Sequence, residues 1–152
     1  MLTLRSVLLV LVTVVLSGCA APPAEPPVQT AAERPRDGVF IHVSHGPEDV
    51  HRVLMALRMA EMMAADRDVL VYFDITGIEA VLADTPDFEM APFPPLKEQL
   101  AKLVELGVPL FACPGCLEAA GREPEELAPG VQLANKDAFF TFTEGRILTL
   151  DY

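Results

Sequence analysis

Gly107-Val-Pro-Leu-Phe-Ala-Cys-Pro-Gly-Cys-Leu-Glu-Ala-Ala-Gly121 is the stretch whose reading decides the fold. Val108 to Ala112 is a short apolar run, as a buried strand reads. Leu117 to Ala120 is helix-like, with Gly121 placed as a C-cap. The dithiol Cys113-Pro-Gly-Cys116 occupies the junction. A thiolate is the reactive form of cysteine, and a helix N-terminus favours it through free N–H groups and the helix dipole. The same four residues can also close a small disulfide or supply half of a metal site.

Working outward, the pattern of strand then helix repeats. Leu96, Leu100, Leu103 and Val104 mark an amphipathic helix closed by Gly107. Before it, Thr85 to Pro95 holds four prolines and reads as a loop. Val69 to Phe73 is a second strand, ending in Asp74-Ile-Thr-Gly77, and Ile78 to Leu82 adds a helical turn. Val39 to Val43 is the first strand, followed by the loop Ser44-His45-Gly46-Pro47 and a helix to about Asp66. Val53, Leu57, Ala60 and Ala64 form its core face. Towards the end, Gly130 to Ala134 and Arg146 to Leu150 read as short strands, while Lys136 to Thr143 fits helix or strand. Strands alternating with helices predict one α/β domain on a parallel sheet. Sites in such sheets gather at the carboxyl ends of the strands, which puts His45, Asp74 to Gly77 and Cys113 on one edge.

The chain of 152 residues divides into 1–18, 19–37 and 38–152. The first segment has one charge, Arg5, then an apolar run too short to span a bilayer but of the length of a secretory signal. Its end, Leu16-Ser17-Gly18-Cys19, resembles the lipobox of bacterial lipoprotein signal peptides, which makes Cys19 the lipidated residue of an envelope protein anchored to the membrane. Residues 19–37 are rich in Pro and Ala and form an extended spacer. The net charge of −11 argues against nucleic acid and against electrostatic binding to anionic headgroups. There is no Walker loop, no GxGxxG and no HExxH, and no cofactor is expected.

The segment Gly107 to Gly121 is similar to the cysteine segment of the DsrE/DsrF-like family, where a strand ends in a cysteine, a short helix follows, and a glycine lies eight residues after the cysteine, as Gly121 follows Cys113. Some members carry a second cysteine three positions on, as Cys116 does. Phe40-Ile-His-Val-Ser-His-Gly-Pro-Glu-Asp-Val-His-Arg52 looks like the family's opening strand, polar loop and helix start, and the resemblance covers residues 38 to 152. It implies a flavodoxin-like three-layer sheet, parallel or mostly so, and assembly into trimers or hexamers. It also implies that Cys113 carries a persulfide passed between donor and acceptor proteins. Sulfur-relay members are cytoplasmic, whereas this chain carries an export signal.

Cys113 is thus the expected nucleophile and Cys116 the resolving thiol. His45, on the same edge, is the expected partner of a thiolate, with Asp74 and Thr76 as secondary polar candidates. His42 lies within a strand, where a packed or hydrogen-bonded ring is the default, and His51 sits on the first helix. Met55, Met59 and Met62 read as packing surface, and the surplus apolar area fits an oligomer interface. Pro86 to Pro95 reads as a surface loop, with a lid over the cysteine edge as the alternative. A thioredoxin centre fits poorly, because the dithiol comes late in the chain. The competing reading is a non-catalytic oligomeric envelope module whose cysteines form a structural disulfide, or a metal site with His45.

Overall fold

A computed structural model describes residues 35–152, so Cys19, the segment before it and most of the spacer lie outside the described residues. The elements are β1 (Gly38–Val43), α1 (Val50–Met63), β2 (Asp68–Phe73), α2 (Leu96–Glu105), β3 (Leu110–Ala112), α3 (Pro114–Ala119), β4 (Val131–Leu133), α4 (Ala138–Thr141) and β5 (Ile147–Asp151). The strands form one sheet in the order β4-β3-β2-β1-β5, and every pairing is parallel. Among the described residues, no helix is long and apolar enough to cross a membrane.

The strand order decides which face is covered. From β1 to β4 each connection steps the same way across the sheet, and right-handed crossovers then put α1, α2 and α3 on one face. Leu57 of α1, Leu103 of α2 and Leu117 of α3 meet Val39, Ile41, Val71, Phe73 and Leu110 there in a single core. The return from β4 to β5 runs the other way, so α4 lands on the opposite face. Its Phe139 meets Phe40 at 5.6 Å and Tyr72 at 5.1 Å, both edge-on. The third layer is therefore one four-residue helix, and Phe140 on it is 78% exposed.

Local chemistry moves several boundaries. The first helix starts at Val50, because the Asp49 carboxylate caps it by accepting the Arg52 N–H at 3.2 Å; Pro47 to Asp49 form a 3-10 turn before it. Gly77 to Val81 form a second such turn. β3 begins at Leu110, since Pro109 has no N–H for the ladder, although its carbonyl still accepts from Val71 at 3.0 Å. α3 starts earlier than the sequence pattern indicates, with Pro114 in the first-turn position that suits proline. Residues 138–141 resolve the helix-or-strand ambiguity as α4, entered through Asn135, whose side chain accepts the Ala138 N–H at 3.0 Å.

β5 is an edge strand and mostly exposed, and it is fastened at its start by charge. Arg146 makes three bonds to the Asp37 carboxylate, two from its guanidinium at 3.1 and 2.6 Å and one from its backbone N–H at 3.1 Å, and its carbonyl accepts the Gly38 N–H at 2.7 Å. The hydrogen bonds from Arg146 hold the Asp37 carboxyl down at about 2. Phe88 and Phe93 of the proline-rich loop pack against the core, and Phe93 stands 5.5 Å from the His51 ring.

Leu57 has no exposed surface and lies between the sheet and the helical layer. Leu57→Ala is expected to lower the unfolding free energy by about 2–5 kcal/mol in a denaturant titration. A loss well below 1 kcal/mol would mean that this face is not the main core.

Candidate functional site

The parallel register brings the last residues of β1, β2 and β3 side by side: Val43 pairs with Phe73, and Phe73 with Ala112. The loops that follow are therefore neighbours. The first two are in backbone contact, which two glycines permit. A Cβ on Gly77 would lie 2.1 Å from the Val43 carbonyl oxygen, and one on Gly46 would lie 2.3 Å from that of Thr76. Glu48 locks the two loops together by accepting from the Gly46 N–H at 2.9 Å and from the Thr76 hydroxyl. Burial works against its charge, yet those hydrogen bonds prevail and lower its pKa.

Cys113 continues the ladder, its N–H donating to the Phe73 carbonyl at 2.8 Å, and then caps α3. Its Sγ accepts the Cys116 N–H at 3.3 Å. Burial pushes the Cys113 thiol up, but hydrogen bonds from the Cys116 thiol, the Tyr72 phenol and the backbone amides of Cys116 and Gly115 outweigh it. Its pKa is lowered. Cys116 goes the other way. Burial and the neighbouring Cys113 raise it, Asp74 adds to the rise, and the Ile75 amide, 3.2 Å from Cys116 Sγ, opposes it. Both thiols are free and half-buried. The arrangement separates a sulfur that ionises readily from one that resists.

Side-chain alternation then adds groups from the open face of the sheet. Tyr72 pairs with Phe111 and shares its face with His42, whose ring stacks on the phenol at 5.8 Å. Burial and the neighbouring Cys113 push the Tyr72 hydroxyl up, so it stays protonated beside the sulfur. His42 Nε2 lies 2.8 Å from Asp74 Oδ1, and its Nδ1 lies 2.9 Å from Asp151 Oδ1.

Of the residues singled out by sequence, Cys113, Cys116, Asp74 and Thr76 meet on this edge. His45 stands in the loop after β1, but its ring engages the Ser44 hydroxyl at 3.2 Å, and it is not among the groups that act most strongly on Cys113. Met59 packs against the core, whereas Met62 is largely exposed. Among the described residues, no three His, Cys, Asp or Glu side chains are grouped to hold a metal ion. Sequence reasoning passed over Tyr72, Asp151 and the bridging part of His42. The only signal was polarity on alternate positions of otherwise apolar strands.

The comparisons agree with this fold. The family model described as the DsrE/DsrF-like family matches residues 37–145. The crystal structure of the ychN protein from E. coli is similar at a TM-score of 0.60 and 18% identity, over 76% of this chain and 99% of that one. The structure of a protein of unknown function, MTH1491 from Methanobacterium thermoautotrophicum, is similar at 0.56 and 18%, over 74% and 98%. No curated protein matches the chain. At these identities the two structures establish the fold.

Tyr72→Phe keeps the ring and removes the donor. Titrating the Cys113 thiolate by its ultraviolet absorbance should show the pKa rising, with a several-fold smaller thiolate fraction at neutral pH. An unchanged titration would remove Tyr72 from the site.

Proposed function

The chain belongs to the DsrE/DsrF-like family, and from that premise we propose that it carries sulfane sulfur on Cys113 in a lipid-anchored domain of the cell envelope. The observation that carries this reading is the opposed behaviour of the two thiols, with Cys113 inclined to ionise and Cys116 disinclined. In the loading step the Cys113 thiolate attacks the outer sulfur of a donor persulfide, RS–SH. The new S–S bond forms, the donor's S–S bond breaks, and RS⁻ leaves with the electron pair. An acceptor thiolate then takes the outer sulfur in the same way and returns Cys113 to its thiolate. With no acceptor at hand, Cys116 as thiolate attacks Cys113 Sγ, expels hydrosulfide and leaves a Cys113–Cys116 disulfide, which an external dithiol must reduce.

Donor and acceptor are other thiol proteins, and no cofactor takes part. The lipid on Cys19 and the proline-rich spacer would hold the domain off the membrane surface. A homo-oligomer, trimer or hexamer, is supported by the open sheet face, where Phe140 and Ile147 leave apolar surface uncovered.

Intact mass spectrometry after exposure to glutathione persulfide tests the carrier. One added sulfur atom is expected in the natural chain and none in Cys113→Ser, with longer retention of the sulfur in Cys116→Ser. Absence of an adduct in the natural chain, or an adduct that persists in Cys113→Ser, sinks the reading. The anchor has its own measurement. Protein extracted from membranes should begin at Cys19 and carry acyl chains, and Cys19→Ser should move it to the soluble fraction. A chain that is unprocessed and unlipidated at Cys19 removes the envelope assignment.

A further inference from the structure

Beside the two thiols stands a charged bridge for which the carrier reading has no task. His42 faces Asp74, in the loop after β2, and Asp151, on β5, with ring nitrogens 2.8 and 2.9 Å from their oxygens. A neutral imidazole carries one N–H and would turn a lone pair towards one of the carboxylates, whereas the imidazolium carries an N–H and shared positive charge at both nitrogens. His42 Nε2 and Asp74 Oδ1 are buried and neither has a hydrogen-bond partner, so their 2.8 Å contact is one of charge and depends on the ring being protonated. Burial opposes the charged ring, yet the two carboxylates outweigh it and raise its pKa above 6.5. The other groups around the ring are Phe40 on its own strand and Tyr72 on β2, while α4 (Ala-Phe-Phe-Thr) brings no ionisable side chain.

Asp74 leads directly into the backbone that touches Cys116. The next residue, Ile75, donates its N–H to Cys116 Sγ at 3.2 Å. Its φ is 50°, in the left-handed region that a β-branched residue rarely enters. Such a conformation persists only where its surroundings over-determine it. Asp74 supplies that constraint. Its N–H donates to the Val43 carbonyl at 3.1 Å, its carbonyl accepts the Gly77 N–H at 2.7 Å, and its carboxylate is held by His42. Asp74 is also a negative charge close to Cys116, and an unneutralised one opposes a thiolate there.

We propose that His42 is a positioning residue for the second thiol: as an imidazolium it neutralises Asp74 and fixes the Asp74–Ile75 turn, so that Cys116 can ionise and attack a sulfur adduct on Cys113. The proposal deepens the carrier reading and rests on it for its biological meaning, but the step itself can be driven by any mixed disulfide. In Cys113–S–S–R, the Cys116 thiolate attacks Cys113 Sγ. The intramolecular S–S bond forms, the bond to the adduct sulfur breaks, and RS⁻ leaves with the electron pair. The adduct is the oxidant, and the Cys116 proton goes to water. His42 touches neither sulfur, and it acts on this second step alone.

The test uses the full chain carrying Cys19→Ser, which leaves two thiols, and dithiobis(nitrobenzoate) as the disulfide. The first coloured thiolate reports attack by Cys113, and the second reports resolution by Cys116. His42→Gln should slow the second phase about tenfold, the scale of one lost charge interaction, and leave the first within about twofold. The ratio of natural to variant rate should fall towards one as pH rises through the raised titration of the ring. H42Q/D74N, which removes both charges, should restore the second phase to within about threefold of the natural rate. Asp151→Asn, at a side chain 70% exposed, should slow the second phase in the same direction and serves if H42Q does not fold. An unchanged second phase in either single variant overturns the proposal. So does equal slowing of both phases, or no recovery in the double variant. Failure of persulfide loading would leave these phases readable, so the two ideas fail separately.

Discussion

The parallel pairing of β1 with β2 and of β2 with β3 is the constraint from which the site is built. It places Val43, Phe73 and Ala112 in one row, and the three loops that leave them must share a narrow edge. Sharing it requires backbone to pass backbone, which Gly46 and Gly77 allow because neither has a Cβ to collide with a carbonyl oxygen. Once the loops touch, the amide of Ile75 meets the sulfur of Cys116, and the amide of Cys116 meets that of Cys113. The helix after Cys113 adds oriented N–H groups, although with six residues it contributes a turn of local donors more than a long dipole. Hydrogen bonding at the cap is therefore the stronger reason that the Cys113 pKa is lowered.

The same strand order explains why the site borders an aromatic, partly open face. Three crossovers stack on one side and fill a core there, and only the return from β4 to β5 crosses the other. Phe40, Tyr72, Phe111 and Phe139 gather on the lightly covered side, together with His42. Partial burial there, with Cys113 close by, keeps the phenol protonated next to the sulfur. β5 closes the arrangement by adding Asp151 at the far side of His42. The strand is held at its start by Asp37 and Arg146 and near its end by this carboxylate. An exposed edge strand with two such fastenings stays in register without much buried apolar area.

What could be read from the sequence follows the range of the interactions concerned. Apolar runs and helical spacing are local, so the strands at Val39, Val69 and Val108, the amphipathic helix at Leu96 and the parallel α/β class are legible within short windows. Cys113 and Cys116 are legible because they are three residues apart and their chemistry belongs to their residue type. Gly121 is legible because a positive φ, here 69°, favours glycine. His42 is different. Its partners lie 32 and 109 residues away, and only the register of two pairings, with β2 and with β5, sets them against its two nitrogens. Tyr72 is likewise an ordinary strand residue until pairing with β3 brings it beside Cys113. His45 drew attention by its place in a loop, and a local hydrogen bond to Ser44 takes up its ring.

On the carrier reading, the reluctance of Cys116 matters as much as the readiness of Cys113. A dithiol whose two sulfurs ionise equally would convert any persulfide into a disulfide at once, and it would behave as an oxidoreductase centre. Attack rates in thiol exchange depend on the thiolate fraction, so raising the resolving thiol lengthens the life of the loaded state. Burial and the nearby thiol do that here, while the Ile75 amide keeps the attack possible. The site is thus tuned between two losses. With Cys116 too acidic, the sulfur is expelled before an acceptor arrives; with Cys116 too basic, a loaded chain that meets no acceptor stays blocked. The proposed envelope location would sharpen the second loss, because thiols meet oxidants more often there than in the cytoplasm. That is a physical reason for a second cysteine, and for the proposed action of the His42 bridge on it through the Asp74–Ile75 turn.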